Sequence, residues 1–129
     1  MSCSVDIELD SLVCRTKSAA FQAAALLSAD PWARTRLKVS PFFETSPERD
    51  DSWRLAIDDY DARYWNETEY RRLWLALAPF MADSAFIEFR HEEGSRFRVR
   101  WEAGRVFEGL ARQVIWATDF EITPALLKD

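Results

Sequence analysis

The segment from Ala85 to Ala117 constrains the fold most. It contains four runs, "AFIEFRHE", "RFRVRW", "RVFEG" and "QVIWA", rich in β-branched and aromatic residues and separated by only a few others. Parallel strands need a crossover of about a dozen residues or more, so gaps this short allow only an antiparallel meander, with Gly94 and Gly104 marking turns. Within it, Arg96, Arg98 and Arg100 alternate with Phe97, Val99 and Trp101. A period of two puts these sets on opposite faces. The apolar set should be buried and the arginines should line the outer face.

Trial registers give those arginines partners. A three-residue turn at Glu93–Ser95 places Glu92 opposite Arg96, Phe89 opposite Val99 and Glu88 opposite Arg100. A second, at Glu102–Gly104, places Arg105 opposite Trp101, Phe107 opposite Val99 and Glu108 opposite Arg98. Each strand arginine then meets Glu88, Glu92 or Glu108 across the ladder. Ligand binding by the same face is the rival reading. Base-stacking sheets carry aromatics among their basic groups, whereas Phe97 and Trp101 fall on the other side, so nucleic acid is not favoured.

Upstream, "VDIELD" alternates as a half-buried strand, and "SAAFQAAALLSA" has helical composition without interior Gly or Pro. Asp30-Pro31 predicts an N-cap and a short helical turn through Trp32. "RLKVSPFFE" is extended, and Pro41 confines it to a sheet edge. "WRLAID" is the next strand, with Trp53, Leu55 and Ile57 on one side. The clearest helix follows. Asn66 is its N-cap, Glu69 its capping-box acid, and Trp65 and Tyr70 its hydrophobic staple. Tyr70, Leu73, Trp74, Leu77 and Met81 form one apolar stripe, and Pro79 ends the helix near Ala78.

These elements predict one α+β domain over residues 1–129: the meander plus N-terminal strands in an antiparallel sheet, packed against two main helices. Its length fits a single core. Apolar residues make up 48% and aromatics 14%, including six Trp, so bulk is sufficient. No apolar run reaches membrane-spanning length, and the acidic N-terminus lacks the pattern of a signal peptide. Cys3 and Cys14 have no C-x-x-C spacing and read as reduced thiols, which suggests a cytoplasmic location. Arginine outnumbers lysine 14 to three, as in chains from GC-rich genomes.

Recognisable catalytic chemistry is sparse. The chain has no G-x-S-x-G, and its three scattered glycines build neither a P-loop nor a dinucleotide fingerprint. His91, the sole histidine, reads as a solvated turn residue. With Cys3 and Cys14 it has no metal-ligand spacing. No catalytic residue, metal ligand or cofactor is therefore assigned.

The net charge of −5 is uneven. Residues 44–69 hold nine acids against three arginines, and residues 95–112 hold five arginines against two acids. The segment from Pro41 to Asp61 joins most of these acids to Phe42, Phe43 and two prolines, Pro41 and Pro47. The expectation is a small acidic protein-binding module of the inhibitor, immunity or anti-defence kind. Its surface would comprise Phe42, Phe43, Glu44, Asp50, Asp51, Asp58, Asp59 and Asp61. The partner would be another protein, a basic one, or a second copy of the chain. The alternative is a small enzyme or metal-dependent protein using the carboxylates from Asp50 to Asp61, together with Glu48, as oxygen ligands or as general acid and base.

Overall fold

The computed structural model describes residues 4–127 apart from Ser46, Arg49, Tyr64, Gln113 and Val114, with only the backbone for 111, 112 and 115–118. The meander forms as β4 (Phe86–His91), β5 (Arg96–Glu102), β6 (Arg105–Arg112) and β7 (Ile115–Ile122). The first strand, β1 (Val5–Ser11), pairs antiparallel with β4, giving the order β1-β4-β5-β6-β7. The expected start of β7 at Gln113 and Val114 lies outside the described residues. The other N-terminal strands, β2 (Leu37–Glu44) and β3 (Ser52–Tyr60), form a separate antiparallel pair instead of extending the large sheet.

Phe97, Val99 and Trp101 are buried, as their alternation requires. The turns differ from the trial registers. The first uses Glu92–Gly94, one residue earlier than expected, so Glu88 faces Arg98 and Phe89 faces Phe97. That slip moves partners by two positions and leaves the faces unchanged. The second turn has two residues, not three: Ala103 and Gly104 both have positive φ (+52° and +75°), the signature of tight hairpins. Glu102 pairs with Arg105, and β6 slips by one residue. A one-residue slip exchanges faces. Val106 and Glu108 therefore point toward the core, and Phe107 joins the arginines.

The expected partnership with Glu88, Glu92 and Glu108 is accordingly replaced. Arg90 and Arg96 both reach Glu8 on β1, at 3.2 and 3.1 Å, while Arg98 and Arg100 both reach Asp119 on β7, at 3.4 and 2.7 Å. Arg100 also pairs with Glu102 at 2.9 Å and lies 4.4 Å over the Phe107 ring. The carboxylates come from strands one or two places away because arginine is long enough to cross a neighbouring strand.

Two helices pack on the strands, one on the β2–β3 pair and one on the inner side of the large sheet. In α1 (Lys17–Ala29), Ala19, Ala20, Ala23, Ala24 and Leu27 are buried. Small side chains let this helix approach β2 and β3 closely. Asp30 accepts from the backbone N–H of Trp32 and Ala33, starting the expected helical turn (Ala33–Thr35). Helix α2 (Glu67–Leu77) starts at Asn66, whose side chain accepts from Glu69 N–H at 3.0 Å. Trp65 stacks on Tyr70 at 4.0 Å, as the staple predicts. The Glu69 carboxylate instead binds Arg72 at 3.0 Å. Tyr70, Leu73, Trp74, Leu77 and Met81 are all buried, and Trp101 Nε1–H donates to the Trp74 carbonyl.

The β2–β3 pair is tied to β1 at both ends. Near one end, Tyr60 donates its hydroxyl to the Val5 carbonyl at 2.7 Å, and Val5 N–H donates to Ala62. Near the other, Cys14 N–H donates to Trp53, Leu55 N–H to Leu12, and buried Arg54 reaches Ser11 Oγ at 2.7 Å.

Candidate interaction surface

Strand β2 places Phe43 directly across from Trp53 on β3, one step from the hairpin tip. Their rings lie 5.5 Å apart, and Phe21 from α1 approaches the same indole at 5.7 Å. Lys17 Nζ stands 5.4 Å from its centre. Phe21 and Phe43 are 50% and 46% exposed, the only phenylalanines among the strongly exposed large apolar side chains of the described residues. The half-buried indole holds both rings in place, so an aromatic patch is presented in a defined arrangement.

Acids border it. Glu44 ends β2 opposite Ser52, and Glu48, Asp50 and Asp51 are exposed in the tip. Phe42, next to Phe43, alternates to the other side, where it is half-buried opposite Arg54. The structure thus brings Phe43, Glu44, Asp50 and Asp51 to one end of the hairpin.

Asp58, Asp59 and Asp61 lie at its other end. Asp58 lies seven residue steps along the extended chain from Asp51, a span of about 23 Å. The two acid groups therefore cannot act together as one metal or acid–base site. Among the described residues, no group of three or more His, Cys, Asp or Glu side chains is arranged to hold a metal ion. Asp58 and Asp59 line a shallow groove with Asp6 and Asp10. Asp61 accepts from the Arg63 backbone N–H at 3.0 Å and its guanidinium at 3.2 Å, bonds that hold its carboxyl below the ordinary range. On that side of the hairpin base, Arg34, Arg36, Lys38 and Arg63 surround a cavity of about 460 Å³, so the acidic segment ends in mixed charge.

Phe21 and Lys17 escape a reading by segment composition. A signal exists in retrospect: Phe21 is the only aromatic in an Ala-rich helix and lies off the face formed by residues 19, 20, 23, 24 and 27.

The described residues contain no helix long and apolar enough to cross a membrane. Compared with known proteins, the chain matches no family model, no curated protein and no solved structure. What defines it is an α+β architecture with an antiparallel five-stranded sheet, a separate hairpin, and an aromatic patch at the hairpin's tip.

Proposed function

We propose that the protein is a non-catalytic binding module, of the inhibitor, immunity or anti-defence kind, that docks a basic protein partner through the tip of the β2–β3 hairpin. The observation that carries this reading is the exposed Phe21–Trp53–Phe43 group bordered by Glu44, Glu48, Asp50 and Asp51. Aromatic rings fixed before binding lose little side-chain freedom and serve as anchors. Surrounding carboxylates attract a basic surface and raise the rate of encounter. Asp58, Asp59 and Asp61, at the far end of the hairpin, would extend such a contact only for a partner long enough to span it.

The test compares wild type with Asp50→Lys/Asp51→Lys and with Phe43→Ser in quantitative capture from the native cytoplasm at low and high salt. The expected result is one basic protein held by wild type, lost most at low salt in the charge-reversed variant, and lost in Phe43→Ser at both salts. Melting temperatures should stay within a few degrees. Retention unchanged in both variants would discard this surface. If Phe43→Ser instead abolishes self-association measured by sedimentation, the occupant is a second copy of the chain. Loss of a hydrolytic or transferase activity in the charge-reversed variant would favour the enzyme reading.

A further inference from the structure

The one-residue slip at Ala103–Gly104 has a chemical result: it turns Glu108 inward. The residue is only 7% exposed, and its carboxylate receives both Nε and Nη2 of Arg71, at 3.1 and 2.7 Å. Arg71 also pairs with Glu67 at 2.9 Å. Burying an ion pair is costly, and an apolar replacement is often as stable or more so. A carboxylate has about four acceptor positions, and Arg71 takes two of those on Glu108. The group lines a cleft of about 250 Å³, together with Trp65, Glu67, His91, Phe97 and Leu110. The His91 ring lies 5.2 Å from Phe97, and Leu110 at the rim is 55% exposed.

We propose that this cleft receives a small organic cation, the alkylammonium or alkylguanidinium group of a ligand. Among the described residues, two carboxylates line it, and the one arginine that pairs with both is not itself among the lining residues. Indole and phenyl faces attract cations, most strongly where water is excluded. An anion would meet Glu67 and Glu108, and an uncharged ligand would desolvate them without compensation. Glu67 and Glu69 in the first turn of α2 offset the positive end of that helix. The cleft falls below the usual range of about 300–1,000 Å³ for drug-sized ligands, so a group the size of one lysine or arginine side chain fits it best. The site is independent of the hairpin tip: His91 pairs with Val5 at the start of β1, whereas the aromatic patch is tied to the chain just beyond the end of β1.

The probes are n-butylguanidinium and n-butylammonium, with 1-pentanol and butyrate as uncharged and anionic controls, followed by tryptophan fluorescence and by amide shifts at His91 and Leu110. Saturable binding of at least one cation, and of neither control, is expected. Glu108→Gln should weaken it about tenfold, the weight of one hydrogen bond to a charged group. Leu110→Lys, at an exposed position that spares the fold, should abolish it by adding a competing cation at the rim. No saturable cation binding to the folded protein, equal binding of pentanol or butyrate, or undiminished cation binding in Leu110→Lys would overturn the proposal. A short peptide with one arginine decides the source: tighter binding than butylguanidinium assigns a protein side chain, and weaker or equal binding assigns a free small molecule.

Discussion

Ala103 holds φ at +52°, a conformation that costs an ordinary L-residue about 1–2 kcal/mol. Its backbone N–H is satisfied by Asp83 Oδ1 at 2.7 Å, which helps hold the turn in place. Asparagine adopts this conformation more readily, and Asn-Gly suits two-residue hairpins. Ala103→Asn should therefore raise stability by about 0.5–1 kcal/mol in a urea melt without changing the fold. Asp30 offers a second measurement. Arg72 donates to both its oxygens, at 2.8 and 3.1 Å, and these bonds chiefly lower its pKa to about 2. The unfolded value is about 3.9. Because the folded pKa is the lower one, this stabilisation is fully present above pH ~4 and drains away as pH falls toward 2. Asp30→Asn should lower stability at pH 6 and flatten the decline between pH 4 and 2, read by urea melts across that range.

At the level of elements, α2 was legible because every signal agreed: cap, staple, stripe and terminating proline. Leu77 is buried on that stripe, so Leu77→Ala should cost roughly 2–5 kcal/mol in a denaturant melt. Asn66→Ala should cost about 1 kcal/mol by leaving the Glu69 N–H without its cap. The strands were legible in number and pairing sense, and β5 also in facing. Register was not, because it rests on turns whose lengths differ by one residue. At Glu92–Gly94 the slip preserved parity. At Ala103–Gly104 it did not, since nothing in "EAG" says that an alanine will accept positive φ. That single residue decides where Phe107 and Glu108 point, so the cleft was invisible in the sequence. His91 does sit beside a turn, at the end of β4, but it is half-buried with its ring 5.2 Å from Phe97, because adjacency to a turn says nothing about what packs beside it. The hairpin-tip surface was half legible. Phe43 and its acids are neighbours in sequence, whereas Phe21 joins them only through tertiary packing.

At the level of the whole molecule, the large sheet, the hairpin and α2 meet near one residue. Cys14 donates its N–H to Trp53 of β3, forms an isolated bridge with Met81 beyond α2, and lies three residues past the end of β1. Its thiol is buried, and burial pushes the pKa up to about 11. The thiolate is the reactive form, so alkylation of the native protein at neutral pH should be very slow. Solvent cannot reach this sulfur until the three units part. In a Cys3→Ser background, the time course of iodoacetamide incorporation at Cys14 would act as a clock for that parting. Its rate should rise with denaturant as steeply as global unfolding does, and a shallow dependence would show that the hairpin swings away while the rest stays folded.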